Sequence, residues 1–293
     1  MLPLAQVSQH AVPLQISMGK GVATRTAYFR LPMLLPEMIW HRLWNSSYFK
    51  TYILEDANML PRFWASCGQH PGLLKHPVKR IPNYQHRAVP VVLHGDGAAV
   101  TLQLGSNSKS CLFLSFRSLT ASTPKHFLMA AVWTSACGKS KSFNTAKSIF
   151  NLVSKSFAKL FNLQCTGGFF PVPVWTTGDL EYFSDFHQIA RWNSLSPCSL
   201  CSVTLRNLKK VPTIDSLSLE PEAWREPRTH ASPLFTTVMT VQGIAPDWTH
   251  SKHLGTDLRL LGSVLWLFIF ALPNALPVEQ RLHAFLHEAK VSR

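Results

Sequence analysis

Val89-Pro-Val-Val-Leu-His-Gly-Asp-Gly97 decides how the chain is read. Residues 89–93 are an unbroken apolar, β-branched run, which predicts a buried strand. His94-Gly-Asp-Gly97 then reads as a sharp turn, because glycine permits backbone conformations other residues avoid. Residues 98–104, 111–116 and 128–133 predict three more strands, with Gly105-Ser-Asn-Ser108 as a turn. Together they predict a meander following the HGDG step.

A helix is predicted after the meander, over residues 144–161. Ile149, Phe150, Val153, Phe157, Leu160 and Phe161 recur on one face, Lys147, Lys155 and Lys159 lie off it, and Asn144 or Thr145 can cap its start. Gly167-Gly-Phe-Phe-Pro171 turns into a second buried run, residues 172–175, which also ends in a Gly-Asp step, Gly178-Asp179. Upstream, residues 31–66 carry helical periodicity, and Gly68, Pro71, Gly72, Pro77 and Pro82 break residues 67–88 into loops. Residues 1–30 read as irregular, and residues 211–233, rich in Pro, Ser and acids, as a linker or exposed insertion. The whole is a mixed α/β (α+β) pattern.

Charge is unevenly placed. The 293 residues carry 29 Lys and Arg against 15 Asp and Glu, a net +14. Across residues 57–178 there are 13 basic residues and one acid, Asp96. A surplus of that kind favours a polyanionic partner, DNA or RNA before an acidic membrane; the plainer alternative is a basic, solvated surface. Lys109, Arg117, Lys125, Lys139, Lys141, Lys147, Lys155 and Lys159 are the expected nucleic-acid contacts. Low charge content with 18 Phe and 9 Trp argues against disorder. The first residues lack a basic, apolar signal pattern, so no signal peptide is expected and the compartment is read as nuclear or cytoplasmic. Residues 260–272 form an apolar run shorter than the roughly 20 residues of a spanning helix; they read as a core helix, with no membrane partner.

Asp96 and Asp179 each follow a short apolar run and a glycine. Carboxylates on neighbouring strand ends can hold a pair of divalent ions, Mg²⁺ or Mn²⁺, for phosphodiester chemistry; the alternative is two turn aspartates bonding locally. Cys198 and Cys201 have the spacing of half a Zn²⁺ site, with His187, Cys165, His230, His250 and His253 as possible completions, or are two buried thiols. His250 and His253 share a face if helical, and Asp247 or Asp257 could add a carboxylate; a capped helix start with surface histidines is the other reading. The chain has no Walker loop, GxGxxG or GxSxG.

Taken in order, HGDGAAV (94–100), VWTTGDLEYF (174–183), PCSLC (197–201) and DWTHSKHLGTDLRLLGSVL (247–265) resemble transposon-derived open reading frames. These belong with cut-and-paste DNA transposases that have a ribonuclease H-like (DDE-type) core, nearest the CACTA-like branch. The resemblance covers residues 31–275. It implies a ribonuclease H-like mixed sheet flanked by helices, with a CxxC-containing insertion, and metal-dependent DNA cleavage and strand transfer. The implied acids are Asp96, Asp179 and, third, Asp247, with Asp257, Glu279 and Glu288 as stand-ins. Asp247 and His250 match an acidic-x-Met-His element in which Thr249 replaces Met. The implied organisation is an irregular segment 1–30, a helical and loop lead-in 31–88, the first part of the core 89–183, the insertion 184–245 and a shortened helical end 246–293. A truncated or decayed element copy, feeble or inactive, is the expectation; a homo-oligomer is compatible with it. The alternative is a non-catalytic protein that binds zinc and nucleic acid.

Overall fold

The computed structural model describes residues 7–16, 25–99, 110–138, 143–163, 168–187, 189, 232–246, 277 and 280. The chain divides into two compact units, residues 1–245 and 246–293, and nearly all the described residues belong to the first.

A mixed five-stranded sheet forms around the quoted stretch. Its central strand, β3 (Ala88–Ala99), pairs antiparallel with β4 (Ser110–Ser118), which pairs antiparallel with β5 (Phe127–Trp133). Helix α6 (Thr145–Leu163) carries the chain to β6 (Phe170–Gly178), which lies on the other side of β3 and parallel to it. A short strand, β7 (Ile244–Pro246), extends the sheet beyond β6.

The predicted apolar stripe builds α6. Ile149, Phe150, Val153, Phe157 and Leu160 are all buried, each contributing about 1.5–3 kcal/mol. Asn144 is the cap: its Oδ1 accepts the Lys147 backbone N–H at 2.8 Å. The helix covers the sheet face formed by Leu93, Leu114 and Phe116, and Phe157 meets the Phe116 ring at 6.2 Å. The next helix, α7 (Leu180–His187), places Tyr182 on that same face, against Phe150.

Helices from the lead-in divide between the faces. α1 (Pro36–Trp44) packs against α6, the Glu37 N–H donating to Ser156 Oγ at 2.9 Å, and α2 (Tyr48–Tyr52) packs on α1, whereas α3 (Met59–Cys67), α4 (Pro71–Leu74) and α5 (Tyr84–Arg87) belong to the opposite face. Trp175 of β6 packs there against Phe63 and His70, and the Trp64 indole donates to the Ala88 carbonyl at 2.9 Å. This layer covers the amino-terminal halves of β3 and β6.

Three segments depart from expectation. The first 30 residues read as irregular, yet β1 (Ser8–Ile16) and β2 (Arg25–Met33) pair as an antiparallel ribbon. Val12, Leu31 and Met33 are buried beneath it, and Pro13, Pro32, Arg25 and Arg30 obscure that alternation in the sequence. The HGDG step is strand, not turn, since β3 runs on to Ala99. The segment 184–245 is not wholly outside the sheet layers: α8 (Pro233–Thr237) buries Leu234, and β7 follows.

A buried histidine ties the lead-in to the sheet. His76 Nδ1 accepts the Val78 N–H at 3.2 Å, which leaves the proton on Nε2 to donate to the Pro173 carbonyl at 2.9 Å. Burial lowers its pKa to about 4, against the Pro173 bond and with a smaller push from Lys79. The folded pKa lies below the ordinary value of 6.5, so the unfolded chain binds more protons between the two. This contribution is full above pH 6.5 and fades as pH falls toward about 4, roughly 3 kcal/mol in all. Urea unfolding from pH 7 to 4.5 should show a steeper loss of stability in the wild type than in His76→Gln. Identical slopes would refute the neutral buried imidazole.

Candidate functional site

Parallel pairing aligns the two Gly-Asp steps. Gly95 and Gly178 are the last register partners; beyond them Asp96 continues β3, while Asp179 is the first residue after β6 and precedes α7. Crevices form outside the carboxyl ends of such strands, where chain connections diverge. Asp96 is exposed and Asp179 half-buried. The glycines serve a different purpose from the one expected. Neither has a positive φ; a Cβ on Gly95 would lie 1.9 Å from the Tyr182 ring, and one on Gly178 2.3 Å from the Gly95 carbonyl oxygen. They are bare because Tyr182 lies across both strands.

Asp179 also has a local task. Its Oδ1 accepts the Tyr182 backbone N–H, capping α7 at its amino end. The carboxylate is thereby fixed in orientation by the same residue that seats on the glycines.

The side chain of Asp96 belongs to the face away from α6. There it lines an open cleft of about 520 Å³ with His94, Phe113, Ser115, Arg117, His126, Leu128 and Thr177. Register explains the grouping: Asp96 is opposite Phe113, His94 lies between Ser115 and Thr177, and Ser115 is opposite Leu128. Ser115 Oγ is 3.2 Å from His126 Nδ1, and the His126 ring meets His94 edge-on at 5.4 Å. Burial lowers the His126 pKa, helped by charge on His94 and Arg117, so its imidazole favours the neutral form.

Expected nucleic-acid residues divide between surfaces. Arg117 lines the cleft, and Lys125 is exposed in the loop before His126. Lys147, Lys155 and Lys159 are exposed along α6, on the other side of the sheet from Asp96, and Lys159 Nζ pairs with Glu37 Oε2 at 2.9 Å. Some of the basic surplus is structural: Arg87 Nε donates to the Gly168 carbonyl at 2.7 Å, and Lys79 Nζ to that of Gly68 at 3.3 Å. Lys109, Lys139, Lys141, Asp247, Cys198, Cys201, His250 and His253 lie outside the described residues. So does the apolar run 260–272; among the described residues no helix is long and apolar enough to cross a membrane.

Among the described residues no group of three or more His, Cys, Asp or Glu is placed to hold a metal ion. A two-carboxylate arrangement is a lesser demand. Mg²⁺ commonly takes one or two carboxylates and completes its shell with water and phosphate oxygens. Asp96 and Asp179 match that donor set in residue type; Asp96 lines the cleft, and Asp179 caps α7. The cleft residues Ser115, His126 and Thr177 were not legible as site residues, because only strand register gathers them.

No protein-family model matches the chain, and no curated protein matches it.

Proposed function

We propose that this chain is a ribonuclease H-like, transposase-type core that cleaves nucleic acid with Mg²⁺ or Mn²⁺, Asp96 and Asp179 being its metal-holding acids. The observation that carries the reading is the Gly95–Gly178 register, beyond which Asp96 continues β3 and Asp179, 83 positions further along the chain, leaves β6 to open α7. The mixed sheet with helices on both faces agrees with the architecture the resemblance implies.

When bound, the metal supplies Lewis acidity toward a phosphoryl oxygen and a more acidic water. The protein residues do the rest. The Tyr182 N–H holds the Asp179 carboxylate at the amino end of α7. Arg117 offers the cleft a fixed positive charge for a phosphate. Neutral His126, tied to Ser115, sits in the same cleft and can accept a proton. Asp247, the third acid the resemblance implies, and the zinc candidates Cys198, Cys201, His250 and His253 lie outside the described residues.

Two measurements on the full chain test the proposal. Supercoiled DNA should be nicked with Mn²⁺ and not with EDTA, and Asp96→Asn should abolish it. Mn²⁺ should raise the melting temperature of the wild type by mass action, and not that of Asp96→Asn. The thermal shift keeps the test decisive for a catalytically feeble copy. No Mn²⁺ shift in the wild type, or the same shift in the variant, sinks the assignment. The capping role of Asp179 favours one other reading, a nucleic-acid-binding fold without catalysis, which predicts that pair of failures together with intact DNA binding.

A further inference from the structure

The open sheet face carries more than Asp96. We propose that it is a stacking platform for single-stranded nucleic acid, with bases laid on Trp133 and Phe113 and a phosphate held by Arg117.

The face is defined by alternation. Cys111, Phe113, Ser115 and Arg117 share one side of β4, and register sets Trp133, Ala131 and Leu128 of β5 beside the first three. Their neighbours Met129, Ala130 and Val132 turn inward and are buried. Trp133 is 42% exposed and Leu128 45% exposed, two of the few large apolar side chains so open among the described residues. An exposed Trp and Leu on a sheet face keep apolar area in water, and a flat apolar partner that covers them gains by removing it.

Charge selects that partner. The same face holds Arg117, His94 and His126, with Lys125 at its rim and Asp96 as its acid. Cations interleaved with an aromatic ring suit a strand whose bases are unpaired: each base offers a π-face and each phosphate a charge. A duplex hides its base faces and would leave Trp133 and Leu128 uncovered. One guanidinium and one lysine are also few for a duplex, whose affinity rests on many phosphate contacts. Asp96 lies directly across β4 from Ala131, with Phe113 between them, and Trp133 is two residues further along β5. A strand lying on Phe113 and Trp133 therefore passes Asp96. That last point rests on the cleavage reading above; the stacking itself does not.

The test uses the full chain and two labelled probes, oligothymidylate and a duplex of equal length, followed by fluorescence anisotropy. Trp133→Ala should weaken oligothymidylate binding about tenfold or more, with under twofold change for the duplex, and Trp133→Phe should recover most of the loss. Arg117→Ala should lower the salt slope of oligothymidylate binding by about 0.7. Ultraviolet crosslinking of an iododeoxyuridine-substituted strand needs no variant, and should label the tryptic peptide 126–139. Equal oligothymidylate affinity in wild type and Trp133→Ala, equal losses on both probes, or crosslinks confined to other peptides would overturn the platform. So would a dimer that Trp133→Ala dissociates, since a second copy would then be the occupant. Asp96→Asn should keep the Trp133 dependence of oligothymidylate binding, which separates the two proposals. Trp133-dependent binding without any Mn²⁺ effect removes only the enzyme, and nicking without such binding removes only the platform.

Discussion

Asp179→Asn is expected to abolish Mn²⁺ stabilisation and reduce nicking about a thousandfold, while the fold melts within a few degrees of the wild type. Asparagine caps helices about as well as aspartate, so the Tyr182 N–H keeps its acceptor. What disappears is the negative charge, and losing a metal-holding carboxylate is worth several kcal/mol of transition-state stabilisation. Asp179→Ala should add a second effect, a cap loss of about 1 kcal/mol, seen as a lower urea midpoint without metal. Asp96 is exposed and caps no helix, so Asp96→Asn should show the catalytic loss without the stability loss. If Asp179→Asn keeps both the Mn²⁺ shift and nicking while Asp179→Ala only melts earlier, Asp179 is a helix cap alone. The paired-acid reading then fails.

Much of the core was legible because burial leaves a periodic trace. The runs at 89–93, 111–116, 128–133 and 172–175 all fall within strands, and the stripe at 144–161 is α6. The site was legible only in part. Asp96 and Asp179 stand out because each follows an apolar run, but their alignment depends on parallel register, which no local pattern encodes. His94, Ser115, His126 and Thr177 come from four separate stretches, and Cys-Leu-Phe-Leu-Ser-Phe116 is nearly apolar throughout, so its open side could not be told from its buried one. The run of lysines misled in a different way. A single acid, Asp96, among 13 basic residues over 57–178 suggests one basic surface, yet α6 turns three of those lysines away from the cleft. Net charge in sequence does not distinguish the two faces of a sheet.

Gly95 and Gly97 should respond to alanine in opposite ways, and the contrast tests why the HGDG step is strand. A turn would need both glycines for backbone freedom. The sheet needs only Gly95, whose Cβ would fall 1.9 Å from Tyr182 Cε2, whereas a Cβ on Gly97 meets nothing within 4 Å. Tyr182 cannot move aside. Its ring is fully buried between the strands and Phe150, its hydroxyl is 3.2 Å from Thr176 Oγ1, and burial raises its pKa far above the usual phenol range. Gly95→Ala and Gly178→Ala are therefore each expected to cost about 3 kcal/mol or more, at the upper end of overpacking changes. Gly97→Ala should stay within about 0.5 kcal/mol. Chemical denaturation measures all three. Removing the obstacle should relieve the first: in Gly95→Ala/Tyr182→Ala the combined loss should fall well short of the sum of the single losses, because the new methyl enters the space the ring has left, whereas Gly178→Ala keeps its 2.3 Å clash with the Gly95 carbonyl oxygen. Strict additivity in that cycle, or a Gly97→Ala loss equal to that of Gly95→Ala, would mean that backbone conformation, not the seat of Tyr182, fixes these glycines. The anchoring of α7 against β3 would then need another cause.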